Sequence, residues 1–314
     1  MRWVAVLLCC RAAAALSIGR SAVRLHSTKP TEAPSALDLA DAPSEAPAAA
    51  VLLPRDRYVA SNRFATRGGG AAAKFEARWA NRKSRLATLD GFRSFTLLRS
   101  VPLEDVVGSR GAAAMGGEAA EHNYMSQAHG GNSIGDFLKA MVSSLRVLKA
   151  APKPASYDGL LHLANAPSAD DSKKVVDGWR VVETDGAGAL PAECFVAANR
   201  FCVRPGYEAA FEARWAQRES NLRELPGLKS FTMLLKDPGA EPPHGAAETD
   251  ECNYMSFTIW ADREAFAGWR SSQSFKDAHS AGPPRAASEL APWTKPPTLA
   301  FWDGVLEITA PQGA

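Results

Sequence analysis

Trp269 and His279 lie ten residues apart in the segment FAGWRSSQSFKDAH (266–279), and Asn199 lies in the apolar segment CFVAANRFCV (194–203). A neutral imidazole binds iron, a carboxamide N–H donates a hydrogen bond, and an indole presents a broad flat wall. On an unbroken helix the interval from Trp269 to His279 gives about 15 Å of rise and about 80° of offset, pointing both loosely to one side. Ser271, Ser272 and Ser274 stand between them. They are weak helix formers that invite a kink, and Ser274 with Asp277 offers a recap for the last turn. A kink brings both side chains onto one pocket. Taken singly, each residue has an ordinary alternative: a surface or satisfied histidine, a core tryptophan, an asparagine hydrogen-bonded at a strand edge.

The rest of the chain shows which residues are special, because it is written twice. YVASNRFATR, FEARWANRKSRL and GFRSFTLL, between residues 58 and 98, return as FVAANRFCVR, FEARWAQRESNL and GLKSFTML between 195 and 234. NYMS recurs at 123–126 and 253–256, and YDGLL (157–161) is echoed by WDGVL (302–306). A repeat of roughly 110 residues is a whole small domain. Asn199 has a counterpart in Asn62, whereas Trp269 and His279 have none. The first copy places Met141 or a neighbour where Trp269 stands, and Lys149 or Ala151 where His279 stands. One copy is equipped and the other is structural.

Lys plus Arg (36) nearly cancels Asp plus Glu (34) in the 314 residues, which excludes the global basic field of a nucleic-acid binder. Residues 1–31 carry five basic residues and no acid around a short apolar run that Arg11 interrupts, the composition of an organelle-targeting leader. A plastid is the first expectation and a mitochondrion the second, with secretion as the rival, and no stable membrane insertion is expected. Ala- and Pro-rich residues 32–54 read as a flexible approach. Beyond the leader, Cys194, Cys202 and Cys252 lack paired spacing and read as small buried strand residues rather than a disulfide framework.

In the second copy the periodicity predicts a strand over 194–203, a helix over 207–225, strands over 228–235 and 253–260, a helix from Asp262 to about Ser280 with Asp262 as N-cap, and a strand over 299–308. That order, βαββαβ, is ferredoxin-like α+β, with an antiparallel sheet and both helices on one face. The bare face of each sheet needs a partner, so the two units are expected to pack sheet against sheet as a pseudo-dimeric α+β barrel within a monomer. Boundaries follow at 55–165 for the first domain, 166–192 for a spacer and 193–310 for the second domain. FEARW reads as structural in both copies, and Arg200, on the face opposite Asn199, as a surface or salt-bridge residue.

ANRF, F-x-x-R-W, the G-(F/L)-x-x-F strand and above all FAGWRSSQSFKDAH resemble the antibiotic biosynthesis monooxygenase (ABM) superfamily, specifically its IsdG-type heme-degrading members. The resemblance implies heme as both substrate and prosthetic group, with His279 as iron ligand, Asn199 as a distal hydrogen-bond partner and Trp269 as the wall that distorts the porphyrin. It also implies dioxygen and an external electron donor, and one heme per chain, since the first copy lacks the histidine. The retention of Asn62 in that copy argues that the asparagine also has a structural job. Two alternatives stay open: a cofactor-free ABM-type oxygenase of a quinol-like aromatic, and a barrel that carries heme without degrading it.

Overall fold

Eight strands close into a single antiparallel barrel, and each repeat supplies four of them. The first repeat contributes β1 (Arg57–Phe64), β2 (Ser94–Val101), β3 (Tyr124–His129) and β4 (Lys153–Ala164). A two-stranded hairpin, β5 (Val175–Val176) and β6 (Trp179–Arg180), follows. The second repeat contributes β7 (Cys194–Phe201), β8 (Leu228–Lys236), β9 (Tyr254–Trp260) and β10 (Thr298–Thr309). The helices are α1 (Ala71–Ala80), α2 (Leu103–Met115), α3 (Glu208–Ala216) and α4 (Arg263–Ser271). This computed structural model describes residues 53–82, 85–115, 122–130, 147–165, 175–176, 179–217, 221–237, 252–273, 275 and 292–310. The leader, nearly all of the 32–54 segment, Met141 and His279 lie outside the described residues. No described helix is long and apolar enough to cross a membrane.

Round the barrel the order is β4-β1-β3-β2-β10-β7-β9-β8 and back to β4. Within each repeat this is the ferredoxin-like order, and the two sheets join edge to edge rather than stacking as separate layers. The seams are β2 with β10 and β8 with β4. Closure removes every exposed edge that an isolated unit would carry.

The fourth strands make closure work. β4 pairs with β1 over its first half and with β8 over its second, and its register shifts between Gly159 and Leu161. β10 does the same between β7 and β2, shifting between Gly304 and Leu306. These bulges are the repeated D-G motifs, and a bulge bends a strand and increases its twist. Both glycines are required by close approach. A Cβ on Gly159 would collide with the Arg57 side chain, and one on Gly304 with the Cys194 sulfur.

Strand alternation separates two environments. Phe64, Phe95 and Tyr124 point outward and pack on Phe75 and Trp79 of α1. Phe201, Phe231 and Tyr254 repeat this arrangement against Phe211 and Trp215 of α3. Val59, Leu98, Met125, Val196, Leu234 and Phe257 fill the lumen. The two walls of the lumen differ, because Gln127 and His129 stand where the second repeat has Phe257 and Ile259. Burial, then the positive charge of His162, Arg57 and Arg93, pulls the His129 imidazole down to about 3. His162, hydrogen-bonded to Thr232 at 2.8 Å, is pulled down to about 4 by burial and Arg57.

Each repeat also holds a buried glutamate. Glu76 accepts from the Tyr124 hydroxyl at 2.6 Å and from the Leu190 N–H at 2.5 Å. Glu212 accepts from Tyr254 at 2.7 Å and from the Leu53 N–H at 2.7 Å. Each carboxylate thus pins the segment that enters the other repeat. Such charge-assisted bonds satisfy groups that would otherwise be costly to bury.

Two expectations need correction, and the spacer adds a contact that the sequence did not announce. Cys202 and Cys252 form a disulfide, because the end of β7 and the start of β9 are sheet neighbours that bring their Cα atoms to 3.9 Å. The spacer packs into the first repeat: Trp179 is fully buried, donating to the Trp79 carbonyl at 3.1 Å, and Leu190 is buried too. The 207–225 helix ends at Ala216, and Leu222 reaches the core from a separate 3₁₀ turn, Asn221–Glu224, with Leu225 just after it.

Two outcomes follow from the bulge and the lumen. Gly304→Ala is expected to cost about 1–3 kcal/mol in chemical denaturation through overpacking. Most of that loss should disappear in Cys194→Ala/Gly304→Ala, and an additive double variant would contradict the collision. The His129 pKa is depressed in the folded state, so its stability contribution is complete above about pH 6.5 and is lost as pH falls toward 3, at a rate of up to about 1.4 kcal/mol per pH unit. Unfolding midpoints between pH 7 and 4 should fall less steeply in His129→Gln.

Candidate functional site

The outer face of β7 is shared by two helices. Phe201 meets α3, while Phe195 and Ala197 meet α4 through Phe266. Asn199 points outward between these two contacts and is half-buried. Its cross-strand neighbours are Leu299 on β10 and Ser256 on β9. The Asn199 Nδ2–H donates to Ser256 Oγ at 3.3 Å, a long bond that leaves most of the amide's capacity for another partner.

α4 begins as its sequence dictates, with Asp262 accepting from the Ala265 N–H at 2.8 Å. Phe266 and Trp269, three apart, face the barrel. Trp269 stacks on Trp260 at 5.2 Å, tilts against Phe266 at 5.7 Å and meets the edge of Phe275 at 4.9 Å. Trp269 and Leu299 belong to one apolar cluster with Ala197, so Asn199 borders the surface that Trp269 helps build.

The helix stops after Ser271. Ser272 is extended, its hydroxyl donates to the Trp269 carbonyl at 2.6 Å, and its Oγ accepts from the Phe275 N–H at 3.2 Å. The break falls in the serine run and Ser272 caps the turn that follows it, while Ser274 and Asp277 lie outside the described residues. The unbroken-helix spacing of Trp269 and His279 therefore does not apply. Where His279 sits is outside the described residues.

The first repeat reaches into this region. Leu103, Val106 and Val107 of α2, which bends at Gly108, pack against the α4 cluster, and Arg270 donates to the Val106 carbonyl at 2.9 Å. Asp303 receives a bidentate pair from Arg263 at 2.9–3.0 Å and lies 3.5 Å from Arg99, which also bonds Glu76 at 3.0 Å. Charge pairing thus runs from α1 of one repeat to α4 of the other. A cleft of about 510 Å³, lined by Cys194, Phe195, Asp262, Arg263 and Asp303 among others, opens at the start of α4; it contains neither Asn199 nor Trp269.

The two asparagines hold one register and differ in surroundings. Asn62 pairs across strands with Ser126 as Asn199 does with Ser256. Asn62 is only 3% exposed, and its Oδ1 and the Ser126 Oγ are buried without a hydrogen-bond partner among the described residues. The repeat that lacks Trp269 is sealed over its asparagine, whereas in the other the asparagine is half-buried. Sequence reasoning missed the serine partner and the buried Glu–Tyr pairs, although the E of FEARW and the Y and S of NYMS are identical in both copies. Burial and the adjoining Glu212 carboxylate push the Tyr254 phenol up, so it stays a hydrogen-bond donor.

Residues 194–281 match the family model of the antibiotic biosynthesis monooxygenases. That match lies within the second repeat, and the barrel is a tandem pair of ferredoxin-like units. No curated protein matches the chain in sequence. Among solved structures, a candidate monooxygenase from Lactobacillus acidophilus is similar with a TM-score of 0.48 and 7% identity, over 81% of this chain and 96% of its own. An anthrone oxidase-like protein gives 0.43 and 13%, over 84% and 98%. A heme-degrading enzyme from Listeria monocytogenes gives 0.34 and 10%, over 79% and 99%.

Because the Asn62 carbonyl is buried without a partner, Asn62→Leu should leave the thermal unfolding midpoint unchanged or raise it. A loss of more than about 1 kcal/mol would show that Asn62 makes a structural bond after all.

Proposed function

We propose that the second repeat is a heme-degrading monooxygenase that takes heme as substrate and prosthetic group, uses dioxygen and an external electron donor, and releases iron. Members of the ABM family are generally monooxygenases, and residues 194–281 belong to that family model. The observation that carries the finer assignment is the contrast between the sealed Asn62 and the half-buried Asn199, on the repeat that also bears Trp269.

The residues present fit a flat, largely apolar macrocycle. Trp260, Phe266, Trp269 and Phe275 form one aromatic cluster in which Trp260 and Phe266 are buried and Trp269 and Phe275 are half-buried at the outside, and Asn199 adds a carboxamide at its border. His279 is the residue assigned to hold the iron. Heme, once bound, supplies the oxygen-activating and ring-opening chemistry. The protein supplies the rest. Trp269, backed by the fully buried Trp260, presses on the ring and excludes water. Asn199 offers its amide N–H to a polar atom of the bound group, turning away from its long bond to Ser256. The α2 contact through Arg270 steadies the end of α4. The acid-free leader supports import into a plastid, or failing that a mitochondrion.

Titration of hemin into residues 50–314 is expected to saturate at one heme per chain with a Soret shift that His279→Ala abolishes. Ascorbate with catalase present should then bleach the Soret band and release iron. No Soret shift at micromolar protein would sink the assignment and favour a cofactor-free oxygenase of a quinol-like aromatic. A shift without bleaching would leave a heme carrier.

A further inference from the structure

Two ties reach from the first repeat to α4, the helix that carries Trp269. At its start Arg263 pairs with Asp303 at 2.9 Å, and Asp303 lies 3.5 Å from Arg99 of β2. The Arg263 side chain is 48% exposed, so solvent screens much of that pairing. At its end the half-buried Arg270 donates to the Val106 carbonyl of α2 at 2.9 Å. The Arg270 guanidinium also stands 6.0 Å from the ring centroid of Phe266, one turn back on α4. The second tie is the better shielded, and it adjoins Trp269 in the chain.

That tie depends on a break in α2. Leu103, Val106 and Val107 follow helical spacing and turn one apolar stripe toward the α4 cluster, while Glu104 and Asp105 are exposed. The helix then breaks at Gly108, whose φ of 73° and ψ of 162° suit glycine. Nothing lies within 4 Å of where a Cβ would stand, so backbone conformation rather than crowding calls for glycine there. The last carbonyls before a helix ends have no intrahelical donor. Val106 holds one of these, and Arg270 satisfies it from the other repeat.

Trp269 is placed where such a hold matters. It is half-buried and lies on Trp260 with ring centroids 5.2 Å apart and planes 29° apart. Contacts between flat rings tolerate sliding, whereas a hydrogen bond has a preferred direction. α4 ends only two residues later, at Ser271, and helix ends fray.

We propose that Arg270 is the positioning residue for Trp269, and that the first repeat shapes the site on the second by presenting the Val106 carbonyl at the Gly108 break. Trp269 is a wall of that site on the reading given above, so the consequence for ligand binding rests on that reading; the anchoring of the indole does not. The first repeat thereby takes part in the site although Trp269 and His279 have no counterpart in it.

Far-UV circular dichroism of the ligand-free full chain reads the geometry of the Trp260–Trp269 stack as an exciton couplet, identified by its loss in Trp269→Phe. Arg270→Met and Gly108→Ala should each remove most of the couplet, and Arg270→Lys, which keeps a donor, should restore part of it. The double variant Gly108→Ala/Arg270→Met should lose no more than the deeper single variant, because both changes break one bond. Hemin should bind Arg270→Met roughly fivefold more weakly than wild type. If wild type takes up no hemin, the heme reading fails, while the couplet still decides the anchoring of Trp269. If Gly108→Ala does not unfold cooperatively, Val106→Ala/Val107→Ala takes its place with the same expected direction. A couplet unchanged in folded Arg270→Met, additive losses in the double variant, or unchanged hemin affinity in a chain that has lost the couplet would overturn the proposal.

Discussion

The structure depends on one constraint: the fourth strand of each repeat has to belong to two sheets at once. β4 and β10 each begin on their own repeat and finish on the other, and the change of partner is made at the D-G bulge. A bulge there bends the strand enough to close the barrel, and only glycine fits where the strand crosses Arg57 or Cys194. From that closure follow the shared lumen, the absence of open edges and the meeting of Arg99 with Asp303 across a seam. The reciprocal clasp of Glu76 on Leu190 and Glu212 on Leu53 repeats the same principle at the chain entries, since neither repeat satisfies its own buried carboxylate alone.

Duplication within one chain frees the two halves to diverge while closure is kept. The first repeat has sealed the outer face over Asn62, taken Trp179 and Leu190 from the spacer into its core, and lent α2 to the other half through Arg270 and Val106. The second leaves Asn199 half-buried and has built an aromatic cluster beside it. Inside the barrel the divergence runs the other way: the first repeat is the polar one, with Gln127 and His129 opposite Phe257 and Ile259. Both asymmetries fall at positions where closure makes no demand.

Much of this was legible because repetition marks what the fold requires. The strands and the Asp262 cap were readable from alternation and from an acid ahead of an apolar helix, and the ferredoxin-like order followed. What escaped were consequences of distance in space. Cys202 and Cys252 are fifty residues apart and become neighbours only through the pairing of β7 with β9. The repeated D-G motif was visible, but its purpose depends on a partner strand from the other repeat. Periodicity carried the helix past Ala216 because Leu222 keeps helical phase with Trp215 across an interruption. For the site, the serine run announced a break but not the cap that Ser272 makes, and Asn199 could not be told from Asn62 by residue type, since exposure separates them.

The most direct test of mutual closure is the sedimentation and cooperative unfolding of residues 185–314 expressed alone. With two open seams, this repeat should be folded only as a self-paired dimer whose unfolding midpoint rises with protein concentration, and unfolded when monomeric. A folded monomer with a concentration-independent midpoint would contradict the central role of the shared fourth strands.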